Sequence, residues 1–331
     1  MANYNVSTFK LNPVDAAGTA LTGTRALYAN GNQQVKLRVT IRKQVDGSNQ
    51  DLSPSEIDSL EIVSLNGSSP PDKWTSTDKA NDYTMGLRSD RSMMKADVIE
   101  VEENVKSGDQ TFYFYVSTSD TALEPMDFEA IVTIGGTVYR SGSSTYNNSF
   151  VTIQAHAPDV FESYELIRNE EDELTFSDYI ADNGKDADSY YQVYAVYWNL
   201  PDGIKIKTYT LSGSTNSEGL YLTAGSDRYA AAICALPRGK TEFKSHCFGL
   251  HGDIGDGIAH KTVVILDYST SIRASRALVT NERLPDDSWI ATAPDTGTSD
   301  LTIIDEYGTT SKFTFFATDD TCRNVDIRNA N

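Results

Sequence analysis

The chain has 331 residues, 39% of them hydrophobic and 23% charged, with 28 basic against 47 acidic side chains and a formal net charge of −19. This length exceeds what one hydrophobic core serves and predicts two domains of roughly 150 residues each, while the composition excludes disorder over most of the chain. The charge excludes nucleic acid and anionic membranes as default partners, because affinity for phosphate comes from Lys and Arg displacing counterions.

The opening Met1-Ala-Asn-Tyr-Asn-Val-Ser7 carries no basic stretch followed by an apolar run. The expectation is cytoplasmic synthesis without a signal peptide, with any release by a non-classical route such as lysis, a virion or an injection apparatus. The longest apolar run, Tyr229 to Leu236, has eight residues, against about 18 for a membrane helix, so no stable membrane span is expected.

Taken in chain order, period-2 alternation with β-branched and aromatic residues dominates, and helical periodicity is nearly absent. Tyr4–Leu11 has strand character and either starts its own domain or reaches the open edge of a second copy, which makes a homo-oligomer an expectation to test. Strands are then predicted over Gln34–Arg42, Leu60–Leu65, Ala96–Val101, Thr111–Thr118, Phe128–Ile134 and Phe150–His156. One short helical turn is predicted at Ser53-Pro54-Ser55-Glu56, where Ser53 caps, Pro54 suits the first helical position and Glu56 completes a capping box. Gly135-Gly136 supplies the positive φ angles of a two-residue hairpin turn.

The boundary is expected after Ala157, dividing the chain into domains 1–157 and 158–331. Between Asp159 and Asp188 there are eleven acidic residues against Arg168 and Lys185, so the second domain has an acidic entry segment. Further strands are predicted over Tyr190–Trp198, Ile204–Leu211, Leu220–Leu222, Tyr229–Leu236, Thr241–Phe248, Thr262–Tyr268, Arg273–Val279, Leu301–Asp305 and Lys312–Ala317. The fold class is therefore all-β, two tandem antiparallel β-sandwich domains. Tyr28-Ala-Asn-Gly31 leading into Gln34–Ile41 parallels Ile180–Gly184 leading into Gln192–Tyr197, as two copies of one domain would.

Leu27-Tyr-Ala-Asn-Gly31 with its Val-rich strand Gln34–Ile41 resembles the opening of bacterial Ig-like repeats of the invasin and intimin type. Leu301–Gly308 followed by Lys312–Phe316 resembles the closing hairpin of such modules. The likeness covers about a fifth of the chain; it implies Ig-like sandwiches acting as adhesin-like surface or interaction modules, and it brings no catalytic residues.

Three constellations could carry chemistry. His246, His251 and His260, with Asp253 and Asp256, place imidazoles and carboxylates among glycines and form the candidate metal site, with zinc or calcium as the ion. Asp182, Asp186 and Asp188 surround Gly184 as oxygen ligands do in calcium loops, though not in EF-hand order. Tyr190, Tyr194 and Trp198 alternate to one face of a predicted strand and could form a recognition surface for protein or for sugar rings. Each has a plainer alternative: a strand histidine beside a flexible loop, a solvated acidic turn, and cross-strand aromatic pairs within a core.

Cys234, Cys247 and Cys322 show no CxxC spacing and read as buried thiols, although a Cys234–Cys247 bridge is sterically conceivable. Hydrolase, metalloprotease, P-loop and dinucleotide motifs are absent from the sequence, and no cofactor is required by any motif. The leading expectation is a non-enzymatic binding or structural protein, receptor-binding or self-assembling, with protein or glycan partners. A secreted toxin inserting a β-hairpin at Ile204–Thr223 is the alternative, and a polysaccharide-active enzyme the third.

Overall fold

The computed structural model describes residues 3–88, 106–170, 178–181, 191–212, 215–216, 219–226, 229–235, 242–251, 257–264, 271–280, 289–290, 298–318 and 324–330. They form an all-β protein of several open sheets, and they divide into two compact units, 1–159 with 307–309 and 160–306 with 310–331. No helix among them is long and apolar enough to cross a membrane.

The first unit stacks two sheets. One runs β1 (Tyr4–Pro13), β3 (Val35–Val45), β7 (Gln110–Thr118), β6 (Trp74–Thr77), with β4 (Ser48–Gln50) beside β3. The other runs β2 (Arg25–Tyr28), β10 (Val151–His156), β8 (Pro125–Ile134), β5 (Glu61–Ser64), with β9 (Thr137–Arg140) beside β8. Among the described residues of this unit, only the β2–β10 pairing is parallel. Alternation delivers the core: Leu37, Val39 and Ile41 of β3 face Phe128, Ala130, Val132 and Ile134 of β8 in one apolar cluster, each at most 1% exposed. Burying a side chain of this size contributes about 1.5–3 kcal/mol.

Local sequence decides the connections. Gly135 and Gly136 adopt φ of 57° and 83° between the paired Ile134 and Thr137, and the ring of Tyr4 packs so closely that a Cβ on Gly135 would meet it at 2.4 Å. Helix α1 (Pro54–Ile57) carries the capping box in full: Ser53 Oγ accepts from Glu56 N, and Glu56 Oε2 accepts from Ser53 N at 2.7 Å. The same Glu56 oxygen also lies 2.7 Å from Lys43 Nζ, with the two side chains 11% and 7% exposed. This single turn is thus ion-paired to β3.

In the second unit the sheets number three among the described residues. A six-stranded sheet runs β11 (Ile167–Glu170), β13 (Tyr191–Asn199), β20 (Ser271–Thr280), β17 (Tyr229–Ala235), β16 (Gly219–Ser226), β15 (Thr215–Asn216). A second runs β12 (Asp178–Ala181), β19 (Gly257–Val264), β18 (Glu242–His251), β21 (Trp289–Ile290), and a third β14 (Ile206–Ser212), β22 (Thr298–Asp305), β23 (Thr310–Ala317), β24 (Val325–Asn329). On β13, Ala195, Val196, Tyr197 and Trp198 are consecutive and all at most 3% exposed. A strand dry on both faces needs cover on both.

Candidate functional site

The described feature best suited to take a partner is a cleft in the first unit. β6 and β5 are the terminal strands of its two sheets on the same flank, and a cavity of about 650 Å³ opens there. The register explains why. β3 covers one side of β7 from Gln110 to Val116, whereas β6 pairs with β7 only from Tyr115 to Thr118. Among the described residues, therefore, Gln110–Phe114 has an outer edge with no strand beside it; the predicted strand Ala96–Val101 lies outside the described residues.

Burial follows that pairing. On the inward-facing positions of β7, Val116 is 1% exposed, but Phe112 and Phe114 are half-buried and line the cleft with Leu60, Ile62 and the exposed Ile57. Inside it, Ser76 Oγ is buried without a hydrogen-bond partner among the described residues, a state that costs about 1–3 kcal/mol until a donor or acceptor arrives. Asp58, Glu61 and Asp78, all exposed, stand around the mouth. The cleft thus sets aromatic and aliphatic side chains beside exposed carboxylates. Edge strands, half-buried aromatics and a carboxylate rim together suit an extended segment with alternating apolar and basic side chains.

The wall of the cleft is held by Glu56. Burial pushes its carboxyl up, but the Lys43 ammonium together with the Ser53 amide and hydroxyl outweigh this and leave its pKa below the usual carboxylate value.

The residues singled out in the sequence are placed elsewhere. His246 of β18 is the Cα partner of His260 on β19, whereas His251 lies at the end of β18 opposite Trp289. Asp253 and Asp256 lie outside the described residues, as do Asp182, Asp186, Asp188 and Tyr190. Tyr194 is half-buried. Trp198 is in the core at 2% exposure, its ring edge-to-face on Phe315 with centroids 5.6 Å apart and the Arg168 guanidinium 5.9 Å from its centre. Within Ile204–Thr223, the segment expected as a hairpin under the toxin alternative, β14 pairs with β22 while β16 pairs with β15 and β17, so β14 and β16 do not pair with each other. Sequence reasoning missed the cleft. Its one local signal is the run Phe112-Tyr-Phe-Tyr115, too aromatic for an edge unless something covers it.

No family model matches the chain, and no curated protein is similar to it. Among solved structures, one match is described as "Complete structure of manganese lipoxygenase of Gaeumannomyces graminis and partial structure of zonadhesin of Komagataella pastoris", 10% identical over 97% of this chain and 92% of that one, with a TM-score of 0.15. A likeness at that level carries no argument about fold or activity.

Proposed function

We propose that this chain is a non-enzymatic binding protein built from Ig-like β modules, and that it takes an extended segment of a partner protein into the cleft beside β6 and β7. The observation that carries the reading is the outer edge of Gln110–Phe114, which has no strand beside it among the described residues and lies over a cavity lined by aromatic and aliphatic side chains together with three carboxylates. The segment adds main-chain hydrogen bonds in line with β6, seats an apolar side chain against Phe112 and Phe114, and sets Lys or Arg against Asp58, Glu61 and Asp78. The acidic chain as a whole favours approach of such a partner.

The test uses full-length protein and a fluorescent peptide alternating valine or phenylalanine with lysine. Binding that weakens with salt, and at least tenfold in an Ile57→Lys/Glu61→Lys/Asp78→Lys variant, is the expected result. Equal binding by the variant, or none by the wild type, overturns the reading. A liposome-leakage assay and a glycan array on the same protein discriminate the toxin and carbohydrate alternatives.

A further inference from the structure

In the second unit, the pairing of β18 with β19 creates a juxtaposition that the sequence alone could not show. His246 and His260 are direct Cα partners, flanked by the pairs Ser245–Lys261 and Cys247–Ala259. Residues directly opposite on antiparallel strands share a face, with Cβ atoms about 4.5–5.5 Å apart. A pair of histidines so placed in register is a donor set of the type that zinc, nickel and copper take. His251 is excluded from the pair by distance. It stands beyond a bulge between Phe248 and Leu250, five residues along β18 from His246, which is about 16 Å at ~3.3 Å per residue.

We propose that His246 and His260 form a cross-strand chelate for a borderline divalent transition-metal ion, with water filling the remaining positions. Imidazole nitrogen suits zinc, nickel and copper, whereas magnesium and calcium take oxygen. The ion ties β18 to β19 and stabilises the folded chain by mass action, because the unfolded chain does not hold the two residues together.

The experiment takes untagged, chelator-treated full-length protein with NiCl2 as the probe and MgCl2 as the control. Nickel should raise the melting temperature of the wild type and of His251→Ala, and magnesium should raise neither. In His246→Ala/His260→Ala, nickel affinity should fall at least tenfold, about 1.4 kcal/mol. The proposal is overturned if nickel leaves the wild type unchanged, if the double variant keeps the shift, or if His251→Ala loses it. Should the double variant fail to fold, proton NMR of the wild type gives the same reading. Two histidines with imidazole signals shifted together by paramagnetic nickel support the pair, and any other number overturns it.

Discussion

The two flanks of the first unit are built from the same kind of strand and finished in opposite ways. On one flank, the ten-residue edge strand β1 is engaged at both of its ends. Leu11 N donates to Ser149 Oγ at 2.9 Å and Ser149 Oγ donates back to Leu11 O at 3.2 Å; Pro13 O accepts from Leu21 N at 2.8 Å and Tyr4 O from the Tyr139 hydroxyl at 3.3 Å. The register shifts at Val6–Thr8 as well. On the other flank, the four-residue β6 stops early and leaves half of β7 without a strand on its outer side among the described residues. An edge that is stoppered with side chains and a bulge is protected against strand addition, and an edge left open over an aromatic cleft invites it. The contrast also bears on self-association. β1 pairs with β3 of its own chain, and a second copy would meet an edge already engaged at Tyr4, Leu11 and Pro13.

The largest change should come from removing the ion pair that fixes α1 to the open flank. Glu56→Ala leaves the Lys43 ammonium buried without its carboxylate and removes half of the capping box, and should cost about 3 kcal/mol by urea denaturation. The pH dependence has a defined sign. Glu56 titrates below its unfolded value of about 4.5, so the pair's contribution is complete above that pH and is lost as pH falls through the folded value. Stability that stays flat between pH 6 and 3 in the wild type relative to Glu56→Gln would contradict the pair's role.

Next is the closed flank. Ser149→Ala strips both bonds from Leu11 and should cost about 1–2 kcal/mol. It should also make sedimentation concentration-dependent, since the uncapped β1 edge becomes available. A destabilised but strictly monomeric variant would show that Ser149 is structural and not protective.

The smallest effect is expected at the helix cap. Ser53→Ala should cost about 1 kcal/mol, read as a lower urea midpoint with unchanged slope, because Glu56 keeps its contacts with Lys43 and the Ser53 amide.

The sequence made the long alternating strands legible, and their positions differ from the pattern by a few residues: Gln34–Arg42 is β3, Thr111–Thr118 is β7 and Phe128–Ile134 is β8. The glycine turn and the Ser53 cap were equally legible, because both depend on backbone preferences that reside in two to four adjacent residues. The short, mostly polar Trp74-Thr-Ser-Thr77 was not, since nothing in it alternates, and it is β6 that defines the cleft. Whether an edge is open is a property of pairing between strands distant in sequence. The same holds for the histidines: a one-residue slip between β18 and β19 would set His260 against Ser245 or Cys247, and no local signal fixes that register. Trp198 illustrates the converse, because alternation says which residues share a face and not whether that face is wet.

Hydrogen–deuterium exchange on full-length protein, with and without the valine/phenylalanine–lysine peptide, tests the contrast between the two flanks most directly. Peptide should slow exchange across Glu61–Ser64, Trp74–Thr77 and Gln110–Phe114 and leave Tyr4–Pro13, already engaged at both of its ends, unchanged. Protection that appears on Tyr4–Pro13 and not beside β6 and β7 would contradict it.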